Sequence, residues 1–161
     1  PNIRRSCSLL RMHYRTDMAS QFSPKRVLVV DDNRDAADLT AQLLGMHGHM
    51  TTVAYGGQQG IRLALSFSPE VVLLDLGMPG TDGYAVAIAQ RQSPMLEGAV
   101  LIAYTAWSDE ETNKRVRASG FDQHLAKPAR LGTLLALVSE ARRADGLKGS
   151  TPFVQAGDAY Q

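Results

Sequence analysis

Three observations on the sequence predict an open α/β fold with a mostly parallel sheet. Five strand-length runs, three of them apolar, alternate with segments of helical period. One run, Val71-Val72-Leu73-Leu74, is apolar at every position, as a central strand covered on both faces must be. Finally, four runs end in reactive side chains: Asp31-Asp32, Asp75, Thr105 and Lys127. Successive βαβ units need right-handed crossovers, which bring the carboxyl ends of the strands to one edge, where ligands bind.

The elements follow in order. Strand one is Arg26–Val30. In the next helix Ala36, Leu39, Thr40, Leu43, Leu44 and His47 fit one buried stripe, with Asp32 or Asn33 as N-cap and Gly48 as C-cap. Strand two, His49–Ala54, is Thr-rich and polar, as suits a sheet edge, and Gly56-Gly57 opens a helix with Ile61, Ala64 and Leu65 inward. Strand three is Val71–Leu74. The breakers of Met78-Pro79-Gly80-Thr81-Asp82-Gly83 then form a loop before a helix from about Tyr84 to Arg91. Strand four is Ala99–Tyr104. The following helix, Asp109–Ser119, has little beyond Val116 and Ala118 to bury and should be the least firmly packed. Gly120 ends it, strand five runs from Gln123 to Ala126, and Leu131, Leu134, Leu135 and Val138 mark the last helix.

A length of 161 residues allows one domain with tails: a basic leader over 1–24, a folded unit over 25–143 and a structureless tail over 144–161. The net charge of +1 hides an asymmetry, because residues 1–26 carry six basic side chains against Asp17 alone. The folded part is therefore mildly acidic, which argues against nucleic acid as its direct ligand. Cys7 is the single cysteine, so an internal disulfide and a cysteine-based metal site are both excluded. No apolar run approaches the ~20 residues of a membrane span, and the leader has no hydrophobic signal core, so a cytoplasmic location is expected.

Taken singly, each strand-end residue has an ordinary explanation. Asp31-Asp32-Asn33 reads as a helix cap, Asp75 as an acid closing a buried strand, and Lys127-Pro128 as a strand terminator. Together they occupy the same kind of position, and a core needs none of them there. Mg²⁺ prefers oxygen ligands, often one or two carboxylates with waters and a phosphate, and Asp32 and Asp75 offer the former.

The runs VLVVDDN and VVLLDLGMPGTDGY, the Thr105-Ala106 pair and the segment GFDQHLAKP resemble the receiver domain of two-component response regulators. The resemblance covers about residues 25–143, with 43 residues from Asp32 to Asp75, 30 from there to Thr105 and 22 more to Lys127. It implies a flavodoxin-like, doubly wound sheet of five parallel strands in the order 2-1-3-4-5 with five helices. It also implies that Asp75 is the phosphoacceptor for a histidine kinase or phosphotransfer protein. Asp31, Asp32, Asp75 and the Gly77 carbonyl would hold Mg²⁺, Thr105 would bond the phosphoryl oxygens, and Lys127 would pair with them. A downstream protein target is implied too, with a homodimer through the helix 4–strand 5–helix 5 face. Three residues before Lys127, where many members carry Tyr or Phe as a rotameric switch, stands His124. It either fills that role or is an edge-strand histidine with its ring half in solvent.

Other readings fit less well. An aspartyl-phosphate phosphatase on a similar sheet would need an Asp-x-Asp motif after strand one, but the acids there are adjacent, and Asp75-Leu76-Gly77 lacks the second acid. A nucleotide-binding fold would need a Gly-rich loop after strand one. A degenerate receiver serving as a scaffold would lack key residues that are all present. The chain is compatible with a stand-alone regulator and with the terminal receiver of a hybrid kinase.

Overall fold

A computed structural model describes residues 23–142 and 155–156 of the chain. The expectations for the leader and for most of the tail lie outside these residues. The elements are β1 (Arg26–Val30), α1 (Arg34–Met46), β2 (Met50–Ala54), α2 (Gly57–Phe67), β3 (Val71–Leu74), α3 (Gly83–Arg91), a 3₁₀ turn (Pro94–Leu96), β4 (Val100–Thr105), α4 (Glu110–Ala118), β5 (Gln123–Ala126), α5 (Leu131–Glu140) and β6 (Gln155–Ala156). All pairings are parallel, and the first five strands take the order 2-1-3-4-5 with five helices. β6 is a departure from the structureless tail: it pairs Gln155 with His124 and Ala156 with Leu125. A five-stranded sheet leaves the outer N–H and C=O groups of β5 unpaired, and two residues can join them through backbone alone. No apolar run announces such a pairing.

Period-two alternation divides the core between the two sheet faces. Leu28, Val30, Val72, Leu74, Leu101 and Ala103 pack with Ala64 of α2, Val86 and Ala87 of α3 and Val116 of α4. Their neighbours Val27, Val29, Val71, Leu73, Val100, Ile102 and Leu125 pack with Ala37, Ala41 and Leu44 of α1 and Leu134 and Val138 of α5. Every residue of β3 is at most 1% exposed, as its uniform apolarity predicts. β2, with its threonines, lies at the sheet edge.

Two helices turn a different face inward than their periodicity suggests. α1 buries Ala37, Thr40, Ala41 and Leu44, whereas Leu39 is 57% exposed and His47 is exposed. The alanines let the helix backbone approach the sheet, and the larger Leu39 turns outward. α2 likewise buries Gly57, Gly60 and Ala64 and leaves Leu65 exposed, because a Cβ at Gly60 would already meet Val30 at 2.9 Å. Asn33 is the N-cap of α1, accepting from the Ala36 N–H, and His47 is its C-cap, followed by Gly48 at φ 89°, a conformation natural to glycine. α4 buries only Thr112 and Val116, while Ala118 is exposed. β4 runs one residue further than expected and includes Thr105.

The sheet's lower edge is stapled by Arg91 at the end of α3. Its guanidinium donates to the Gly120 and Ala99 carbonyls at 2.8 Å each and pairs with Asp122 at 2.5 Å. The same Asp122 carboxylate accepts from the Leu101 N–H. No helix among the described residues is long and apolar enough to cross a membrane.

Candidate functional site

Parallel register places the ends of β1, β3, β4 and β5 along one edge. Val30 pairs with Leu74, Leu74 with Ala103, and Thr105 with Ala126, so the residues that follow project from adjacent strand ends. Asp31, Asp32 and Asp75 meet there, with one carboxylate oxygen from each within 4.8 Å of the others. Asp31 is the buried member: one oxygen accepts from the Asn33 N–H at 2.9 Å and the other binds the Lys127 ammonium. Asp32 is exposed. Asp75 accepts from its neighbour's N–H (Leu76) at 2.8 Å through one oxygen and holds the second 4.0 Å from Lys127 Nζ.

Three carboxylates against one ammonium leave an excess of negative charge in a small volume. Crowded carboxylates repel one another. An all-oxygen donor set of this kind suits a hard divalent cation such as Mg²⁺ better than a soft metal.

The Asp75 loop is held from below and from above. From below, the N-terminus of α3 abuts the Asp75–Leu76 peptide: the Gly83 N–H donates to the Leu76 carbonyl at 3.2 Å, and a Cβ on Gly83 would stand 2.3 Å from the Asp75 carbonyl oxygen. Asp82 caps that helix through the Ala85 N–H. From above, the indole of Trp107 lies against Gly77, 3.2 Å from where a Cβ would be. Thr105 is buried at the end of β4, and its hydroxyl oxygen accepts from the Trp107 N–H at 3.4 Å.

Lys127 follows β5, and its N–H donates to the Thr105 carbonyl. The peptide bond to Pro128 is cis. Its ammonium lies 5.0 Å from the centroid of the Tyr104 ring, a residue that sequence reasoning did not single out. The strand pairing of Tyr104 with Leu125 could have pointed to it, since Lys127 lies two residues further along the same face.

His124 corrects one of its two sequence readings: the ring is 1% exposed, so it is not half in solvent. Nδ1 lies 2.6 Å from Asn113 Oδ1 on α4, and Nε2 lies 2.9 Å from the Trp107 carbonyl. β5 is thereby bonded to both α4 and the loop after Thr105. Burial pushes the imidazole below its ordinary pKa, while the Trp107 carbonyl and the charge of Asp109 pull it back upward.

Comparison with known proteins agrees with this arrangement. The chain is 32% identical to Protein PilH of Pseudomonas aeruginosa over 71% of its own length and 94% of that protein's. It is equally identical to the virulence sensor protein BvgS of Bordetella pertussis over 72% of its own length, but that stretch is 10% of the sensor. Among solved structures, a CheY-like response regulator receiver domain protein from Methanospirillum hungatei superposes with a TM-score of 0.67 at 26% identity, over 73% of this chain and 93% of that one. Residues 27–139, from β1 to the last turn of α5, match the response regulator receiver domain, and the chain belongs to that family.

Proposed function

We propose that the chain is the phosphoacceptor receiver of a two-component phosphorelay and takes a phosphoryl group onto Asp75 from a phosphohistidine of a histidine kinase or phosphotransfer protein. The observation that carries this reading is the Asp75 carboxylate itself, clustered with Asp31 and Asp32 and 4.0 Å from the Lys127 ammonium. An Asp75 oxygen attacks the phosphorus. An O–P bond forms as the N–P bond breaks, and the leaving imidazole keeps the electron pair and gains a proton from solvent. An ionised carboxylate needs no general base, so the work left to the protein is positioning and charge stabilisation.

Lys127 faces the incoming phosphoryl oxygens with positive charge, and the Thr105 hydroxyl turns to donate to one of them. Asp31, Asp32, Asp75 and the Gly77 carbonyl are the groups that would hold Mg²⁺, which supplies neutralisation of charge on the transferring group. The donor's docking surface is α1: Leu39 stands exposed nearly two helical turns beyond Asp32 and Asn33, with half-buried Leu43 beside it. An apolar stripe at that spacing suits a partner helix. The signal leaves on the α4–β5–α5 face, toward a downstream protein or a second copy of the chain, in the cytoplasm where kinase donors face. α4 buries the least there and resists displacement least.

The test is intact-mass measurement after incubation with acetyl phosphate and Mg²⁺. The parent gains one phosphoryl group that is stable in acid and labile in base, and Asp75→Asn gains none. A full yield of that adduct in Asp75→Asn overturns the assignment.

A further inference from the structure

We propose that Tyr104 is a positioning residue for Lys127, its ring face guiding the ammonium toward Asp75; this rests on the reading of Asp75 as phosphoacceptor. The geometry starts with the strands. Tyr104 pairs with Leu125, and both pack on the α1–α5 side of the sheet. Lys127, two residues after Leu125, rises on that side and must pass over β4 to reach the acids at the ends of β3 and β1. The Tyr104 ring lies on that path, with the ammonium 5.0 Å from its centroid, inside the ~6 Å range of a cation–π contact.

A lysine needs such a guide more than an arginine would. Its ammonium is a point charge on a flexible four-carbon stem, with no planar fork to fix its direction. Among the acids, Asp31 binds it directly, and Asp75 at 4.0 Å lies beyond hydrogen-bond reach. Without the ring, only the longer attraction of Asp75 keeps the lysine from settling wholly on Asp31. The Lys127 side chain is 22% exposed, so much of its hydration is already gone and the ring contact counts for more than on an open surface. The contact uses the face of the ring, so phenylalanine should replace tyrosine and leucine should not.

Two readouts on the full chain test this. In the metal-free protein, the ε-methylene protons of Lys127, assigned by their loss in Lys127→Ala, should show an upfield ring-current shift by NMR. The shift should survive Tyr104→Phe and vanish in Tyr104→Leu and Tyr104→Met. With acetyl phosphate and saturating Mg²⁺, the leucine and methionine variants should phosphorylate about three- to tenfold more slowly at saturating donor, with the half-saturating concentration little changed. The phenylalanine variant should stay within about twofold of the parent at an equal melting temperature. An unshifted methylene in the parent, or equal rates in the parent and both non-aromatic variants, overturns the positioning role. If phenylalanine loses rate as leucine does, the ring face is not the cause. Failure of the parent to phosphorylate at all would instead refute the reading of Asp75, and the NMR shift would still decide whether Tyr104 holds Lys127.

Discussion

Replacing Gly83 with alanine should disturb Asp75 without touching any charged group. The added Cβ would sit 2.3 Å from the Asp75 carbonyl oxygen and 2.8 Å from Leu76 Cα, whereas real Cβ contacts essentially never fall below 3.0 Å. Both neighbours are backbone, so no side chain can swing aside, and α3 and the Asp75 loop must separate by at least about 0.7 Å. Overpacking of this kind costs about 1–3 kcal/mol, or on the order of 4–12 °C in melting temperature for a domain of this size. The same displacement moves the Asp75 carboxylate relative to Lys127, and misplacement of about 1 Å can cost ~100-fold in rate. Gly132 in α5 is the control: a Cβ there meets nothing within 4 Å, and alanine should stabilise the helix by about 0.5–1 kcal/mol. The assay is a thermal melt of both variants together with the initial rate of phosphorylation by acetyl phosphate. If Gly83→Ala melts with the parent and phosphorylates at the parent rate, the close approach of α3 to Asp75 does not set the site.

Further predictions concern the metal, the lower edge and pH. Asp32→Ala should weaken Mg²⁺ binding at least ~10-fold while Thr105→Ala does not, because the acid alone offers a charged ligand; fluorescence of Trp107, packed on Gly77, reports the titration, and equal affinities would sink the assignment. Arg91→Ala should destabilise by about 3 kcal/mol, because it removes the cation paired with the largely buried Asp122 carboxylate and the donor to the Gly120 and Ala99 carbonyls; urea unfolding measures the loss, and a change under about 0.5 kcal/mol would assign the staple no weight. His124 is pushed below its ordinary pKa chiefly by burial, so below ~6.5 the unfolded chain binds a proton that the folded chain resists. Its stabilising contribution is present above that pH and is lost as pH falls toward the lowered folded value. Urea unfolding of the parent between pH 7.5 and 5 should therefore decline more steeply than that of His124→Phe, and parallel curves would refute it; His49, lowered by burial and by His47 and Lys25, has the same sign but acts equally in both proteins.

The strand ends were legible because strands with reactive residues after them obey a simple geometry: parallel pairing brings their carboxyl ends together whatever lies between. Asp31, Asp32, Asp75, Thr105 and Lys127 all stand at strand ends on that edge for this reason. Helix rotation was less legible, since hydrophobicity favours Leu39 and Leu65 as core residues. Close packing instead selected Ala37, Ala41, Gly60 and Ala64, whose small size matters only once a neighbour is known. The surroundings of His124 were hidden for a related reason. Its partners Asn113 and Trp107 lie 11 and 17 residues away and offer an amide oxygen and a main-chain carbonyl, neither of which leaves a motif. The Tyr104–Lys127 contact depends on a side-chain path that only strand register defines.

The Arg91 staple gives α4 the mechanics of a lever. Its guanidinium grips the Gly120 carbonyl just beyond the C-terminal end of the helix and the Asp122 side chain beside it, and this end is the fulcrum. The other end, capped by Asp109, follows the loop after Thr105 and is tied to β5 through the Asn113–His124 bond. Nine residues make an arm about 13 Å long, so a tilt of 10° about Gly120 sweeps the Asp109 end through about 2 Å while the far end stays nearly still. A partner gripping the first turn of α4 would therefore feel the full stroke, and one resting on Ser119 would feel almost none.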